Sequence, residues 1–234
     1  MARRIKDKET GPRKIRLDDL TTLSMLTETQ SKVKQAYQSQ KNLLLHGIAG
    51  TGKSFLAMYF ALEEVLNPES TFKELVIVRS IVPTRDMGFL KGDEKEKIQV
   101  YEAPYIAICA ELFGISNAYE LLKAQGLIRF ISTSFIRGIT LNNSIVIVDE
   151  LENLNFHELD SVITRIGQRS KLILCGDYSQ SDFARTSERD GCLSFMKILK
   201  EMKMFTFIEF SVQDIVRSAL VKEYIINKYK LGYS

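Results

Sequence analysis

The chain has no tryptophan, four prolines, three cysteines and two histidines in 234 residues. Each shortage excludes something. Cys109, Cys175 and Cys192 are odd in number and lack metal-ligand spacing. That argues against a disulfide framework or a zinc cluster, and for buried thiols in a reducing compartment. His46 and His157 are too few for a histidine-rich metal centre, and they argue against a Ser-His-Asp triad. No run of about 18 apolar residues occurs, so no membrane span and no membrane partner are expected. The basic start has no apolar stretch behind it, so it does not read as a secretory signal. Net charge is only +3, too little for global charge to demand a nucleic-acid partner.

The charge that is present is unevenly placed. Residues 1–16 carry Arg3, Arg4, Lys6, Lys8, Arg13, Lys14 and Arg16 against Asp7 and Glu9. With almost no apolar residues, this stretch reads as a disordered basic arm. It either binds nucleic-acid phosphates or serves as a solubilising tail. The expected division is a flexible arm over 1–20 and one domain over 21–234.

Short apolar runs rich in β-branched residues alternate with segments of helical period. Strands are expected at Leu43–His46, Leu75–Arg79, Leu127–Ser132, Ser144–Asp149, Lys171–Gly176 and Met204–Phe210. Their continuous apolar character suits parallel strands buried on both faces. Helices are expected at Lys53–Leu66, Pro104–Leu112, Ala118–Lys123, Phe156–Ile166, Cys192–Glu201 and Gln213–Tyr229. Met87–Gln99, rich in Gly and charge, reads as an excursion. The fold class is therefore α/β, a mostly parallel sheet with helices on both faces. Such folds place their ligands at the carboxyl ends of the strands.

Gly47-Ile48-Ala49-Gly50-Thr51-Gly52-Lys53-Ser54 is a complete G-x-x-x-x-G-K-[ST] loop between an expected strand and an expected helix. Glycines there let backbone N–H groups curl around phosphate oxygens, and the helix N-terminus adds partial positive charge. Lys53 can reach the β- and γ-phosphates, and Ser54 can ligate Mg²⁺. Ile145-Val146-Ile147-Val148-Asp149-Glu150 ends an apolar strand in two carboxylates. Asp149 can hold Mg²⁺ opposite Ser54, and Glu150 can orient or deprotonate a water. Lys171–Gly176 leads into Asp177, with Gln180 three residues on, where a neutral amide can bond the γ-phosphate or the attacking water. Arg217, after the last strand, is expected to begin a helix and to meet transition-state charge. No Asn-Lys-x-Asp guanine reader is present, which favours ATP over GTP.

These motifs, in this order, resemble the PhoH family of ATPases, in a short phage-type form, over roughly residues 24–229. Leu26-Thr27-Glu28-Thr29-Gln30 resembles the family's opening element. Arg79 with Met87–Asp93, Arg137–Asn142, Thr164–Gly167 and Asp214–Arg217 fit further elements. The resemblance implies a single RecA-like P-loop NTPase core and Mg²⁺-dependent ATP hydrolysis. It also implies cytoplasmic location (the host's, if phage-encoded). Partners would be RNA or single-stranded DNA, bound by a homo-oligomer arranged as a hexameric ring. It makes Gln30 the candidate adenine reader and Gly47–Phe55 the nucleotide cradle. Lys53, Glu150, Gln180 and Arg217 would be catalytic, with Arg165, Arg185 or Arg217 supplied by a neighbour and Arg217 favoured. Arg79, Arg85, Lys91 and Arg137 are the candidate nucleic-acid cations. The sequence departs from the family at Glu152, where glutamine is usual. An anionic Glu152 cannot donate a hydrogen bond to phosphate, which keeps open a second reading: a nucleotide-gated assembly module with slow or no hydrolysis.

Overall fold

The computed structural model describes residues 13–81, 94–177 and 186–231. Six strands form one parallel sheet: β1 (Asn42–Gly47), β2 (Glu74–Arg79), β3 (Ile128–Ser132), β4 (Ser144–Val148), β5 (Lys171–Gly176) and β6 (Phe205–Phe210). Their order is β3-β2-β4-β5-β1-β6. Successive side chains on a strand point to opposite faces, and both faces here are apolar. On β4, Ile145 and Ile147 enter one core while Val146 and Val148 enter the other. The first core is covered by α1 (Glu28–Gln38), α2 (Lys53–Leu66), α3 (Glu94–Phe113) and α4 (Ala118–Ala124). The second is covered by α5 (Phe156–Ile163) and α6 (Thr186–Glu201). A last helix, α7 (Ala219–Lys230), contains no buried residue. No single helix among the described residues is long and apolar enough to cross a membrane.

All six expected strands are present, within a residue at either end. The helices differ more. α1 was not expected, because Gln30, Val33 and Tyr37 are its only buried residues and leave a faint apolar stripe. Its cap was nevertheless visible: Thr27 accepts from the Gln30 N–H, with glutamine at the third helical position. α3 does not begin at Pro104 but runs through it, against the usual cost of interior proline. α6 begins at Thr186, before the expected Cys192, and α5 ends at Ile163. The single helix expected over Gln213–Tyr229 is a turn at Val212–Asp214 followed by α7. Residues 13–20, assigned from sequence to the arm, pack onto the domain: Ile15 is buried in the first core, Leu20 packs against it, and Thr21 N–H bonds Leu112 O. Most of the expected Met87–Gln99 excursion lies outside the described residues.

Candidate nucleotide site

Strand order brings the chemistry together. β5 lies between β1, which leads into the phosphate loop, and β4, which ends at the carboxylates. The three carboxyl ends are therefore neighbours.

The loop needs its glycines. Gly47, Gly50 and Gly52 all have positive φ, at 114°, 77° and 85°, and a Cβ on Gly47 would lie 2.1 Å from Phe210 O. Ile48 is buried and bonds Phe210 O through its N–H, Ala49 is exposed, and Thr51 Oγ1 donates to Ile48 O at 2.9 Å. Phe55 packs on the first core. Lys53 Nζ donates back to Gly47 O at 2.6 Å and Ile48 O at 2.9 Å. Burial lowers its pKa, so the ammonium gains from a phosphate brought beside it.

Asp149 is buried and both its oxygens are engaged. Ser54 Oγ donates to Oδ1 at 2.6 Å, and Tyr105 Oη donates to Oδ2 at 2.9 Å. Glu150 follows in the left-handed region, at φ 52° and ψ 52°, a conformation that costs a non-glycine residue energy. Its Oε2 pairs with Arg79 and accepts from Asn153 Nδ2 at 3.0 Å. Arg79 in turn lies over the Tyr101 ring, 5.5 Å from its centroid.

The turn Leu151–Asn153 seats on β5. A Cβ on Gly176 would lie 2.3 Å from Glu152 Oε2 and 2.7 Å from both Leu151 N and Leu151 Cβ. Glycine is what lets this turn approach. Glu152 Oε2 accepts from Asp177 N–H at 2.8 Å, and burial raises the carboxyl's pKa. Gln180 lies outside the described residues.

From the other side, Val216 N–H bonds Gly50 O, and Arg217 Cγ lies 3.1 Å from where a Gly50 Cβ would be. Arg217 thus rests on its own phosphate loop. It precedes α7 instead of beginning a helix, because Ser218 is the N-cap. Gln30 is buried; its Oε1 accepts from Leu26 N–H, and its Nε2 lies 3.9 Å from a Gly52 Cβ position.

The structure therefore gathers Gln30, Gly47–Phe55, Asp149, Glu150 and Arg217. Arg79, one of the candidate nucleic-acid cations, is paired with Glu150. Arg137 is exposed, and Arg85 and Lys91 lie outside the described residues. Sequence reasoning missed Tyr105, whose contact with Asp149 spans 44 residues. It also missed Asn153 as a partner of Glu150.

The family model for PhoH-like protein matches residues 22–230. Among curated proteins, the PhoH-like protein of Bacillus subtilis (strain 168) is 31% identical, covering 86% of this chain and 63% of its own length. The PhoH-like protein of Synechocystis sp. is 32% identical, covering 87% and 61% respectively. The chain thus spans less than two thirds of the length of these relatives. A large terminase from a thermophilic bacteriophage superposes with a TM-score of 0.50 at 13% identity, over 86% of this chain and 50% of that one. At that identity the likeness concerns the fold, a RecA-like P-loop NTPase core. Motif order, sheet topology and the match across 22–230 agree: this chain belongs to the PhoH-like protein family.

Proposed function

We propose that the chain binds ATP with Mg²⁺ in this cradle and hydrolyses it, acting on RNA or single-stranded DNA as a homo-oligomeric ring. The observation that carries the nucleotide reading is the Ser54–Asp149 contact at 2.6 Å, placed beside Lys53 and the three positive-φ glycines. A hydroxyl and a carboxylate at that spacing are hard oxygen donors. They suit Mg²⁺, which takes one or two carboxylates together with phosphate oxygens and water. Among the described residues no group of three acidic, His or Cys ligands is present, and none is needed. Mg²⁺ bound there would neutralise charge on the phosphates.

The chain's own groups do the rest. Backbone N–H groups of Gly47–Ser54 face the phosphates. Lys53 exchanges two carbonyl oxygens for phosphate oxygens. Gln30 Nε2 faces the adenine. Glu150, once free of Arg79 and Asn153, holds the attacking water's proton. Gln180 is the candidate γ-phosphate contact. Arg217 packs against its own Gly50, which supports a role on its own subunit's nucleotide in place of a neighbour-supplied finger. A second reading, a nucleotide-gated assembly module, draws on the same Glu150 pairing, which occupies the oxygen a water would use.

The test is phosphate release and fluorescent-nucleotide binding, with and without single-stranded RNA or DNA, on material of known oligomeric state. Lys53→Ala should lose ATP binding. Glu150→Gln should bind ATP and lose turnover. Full turnover in Glu150→Gln refutes the water-activating role, and normal ATP affinity in Lys53→Ala refutes the phosphate-loop assignment. ATP-dependent assembly without turnover in the wild type selects the second reading.

A further inference from the structure

We propose that Tyr105 is a positioning residue for the divalent cation, fixing which oxygen of Asp149 faces it. This deepens the reading above and rests on Ser54 and Asp149 as the cation's protein donors.

A carboxylate has two equivalent oxygens, and a single-cation site works best when only one of them is on offer. Here the two have different partners. Oδ1 takes the Ser54 hydroxyl, on the phosphate-loop side, while Oδ2 takes the Tyr105 hydroxyl from α3. A ligating Ser54 turns an oxygen lone pair toward the cation, so Oδ1 and Ser54 Oγ become adjacent donors. Tyr105 has no such second role, so its proton stays on Oδ2 and resists rotation of the carboxylate. Partners of this kind orient metal ligands in general.

The tyrosine is built for that task. Tyr105 is fully buried, and its ring packs at 6.0 Å from Phe130. The helix beneath it is anchored: buried Glu102 accepts from Tyr119 Oη at 2.7 Å and from Lys123 Nζ at 2.8 Å. Tyr101 lies four residues before Tyr105, on the same face of α3, and supports Arg79 against Glu150. One helical face thus reaches both carboxylates, Asp149 directly and Glu150 through Arg79.

Tyr105→Phe removes one oxygen and keeps the ring. The affinity of a fluorescent ATP analogue is measured as Mg²⁺ is titrated, and again in EDTA. The expected result is a Mg²⁺ half-saturation raised roughly 10-fold, with affinity in EDTA unchanged and turnover restored at high Mg²⁺. A purely structural role would weaken binding equally in both conditions and would not respond to added Mg²⁺; that result, or an unchanged Mg²⁺ curve, overturns the proposal. Should Tyr105→Phe fold poorly, the same Mg²⁺ titrations are made on it at low temperature, after circular dichroism has confirmed the folded state. Wild-type binding that ignores Mg²⁺ would sink the cation reading of Ser54 and Asp149 itself, and the Tyr105 role with it.

Discussion

Gly176→Ala tests whether the turn after the carboxylates depends on contact with β5. Gly176 lies in extended backbone, so conformational strain is not at issue; the added methyl is. It would meet Glu152 Oε2 at 2.3 Å and Leu151 N at 2.7 Å. The carboxylate can swing aside, but the Leu151 backbone cannot move without taking the turn with it. Overpacking of this kind costs about 1–3 kcal/mol. Losing the Asp177 N–H to Glu152 bond adds about 1 kcal/mol. The sum, about 2–4 kcal/mol, is a large share of a stability of about 5–15 kcal/mol. With an m-value of about 3 kcal/mol/M, the urea midpoint should fall by about 1 M. Turnover should fall as well, because the displaced turn directly follows Glu150. Adding Glu152→Ala should recover only part of the stability, since it clears Oε2 and leaves the Leu151 clash. A Gly176→Ala protein that unfolds at the wild-type midpoint would refute the reasoning: the turn would not be seated on β5 as described.

Glu152→Gln should change how stability depends on pH. Burial raises the Glu152 pKa above its ordinary value, so the folded state holds a proton more tightly, and this group makes stability fall as pH rises from about 4.5 through the folded value. The amide should abolish that part of the slope, which urea titrations across that window would register. Gly47→Ala should lose nucleotide binding and about 2 kcal/mol or more of stability, from positive φ and the clash with Phe210 O; ordinary melting and binding would contradict the loop geometry. Arg217→Ala should bind ATP and turn over slowly, and mixing it with Glu150→Gln subunits should restore nothing if Arg217 serves its own subunit; recovery in mixed oligomers would return the arginine to a neighbour. α7 has no buried residue, so its amides should exchange quickly and slow on nucleotide binding, because Ile225 and Arg217 border Gly50. Unchanged exchange would mean that the helix does not sense the loop.

Much of this was readable in the residues, for a physical reason. Strands buried on both faces have to be apolar at every position, so Leu43–Leu45 and Ile145–Val148 stand out. The phosphate loop is likewise local, since eight consecutive residues carry its geometry. What stayed hidden depends on pairing. Val78 sits opposite Val148 in the β2–β4 register, and only that register sets Arg79 beside Glu150. Read alone, Arg79 was one more cation near a strand end. Tyr105 lies in the helix expected over Pro104–Leu112, but it carries no local mark, because its contact with Asp149 is made 44 residues away. α1 hid because most of its surface faces water.

The strand order also has a consequence in time. β1 is flanked by β5 and β6, the last of the six described strands to be made. The Ser54–Asp149 contact closes across 95 residues, and non-local pairings of this kind form slowly. At about 5–20 residues per second, β1 would leave the ribosome roughly 10–30 s before β6 exists to pair with it. Through that interval Leu43–Leu45 would be an unpaired apolar edge, of the kind chaperones shield, and a nascent chain could not yet complete the candidate nucleotide site. Nucleotide capture in the proposed cradle would then wait until β5 and β6 have been made.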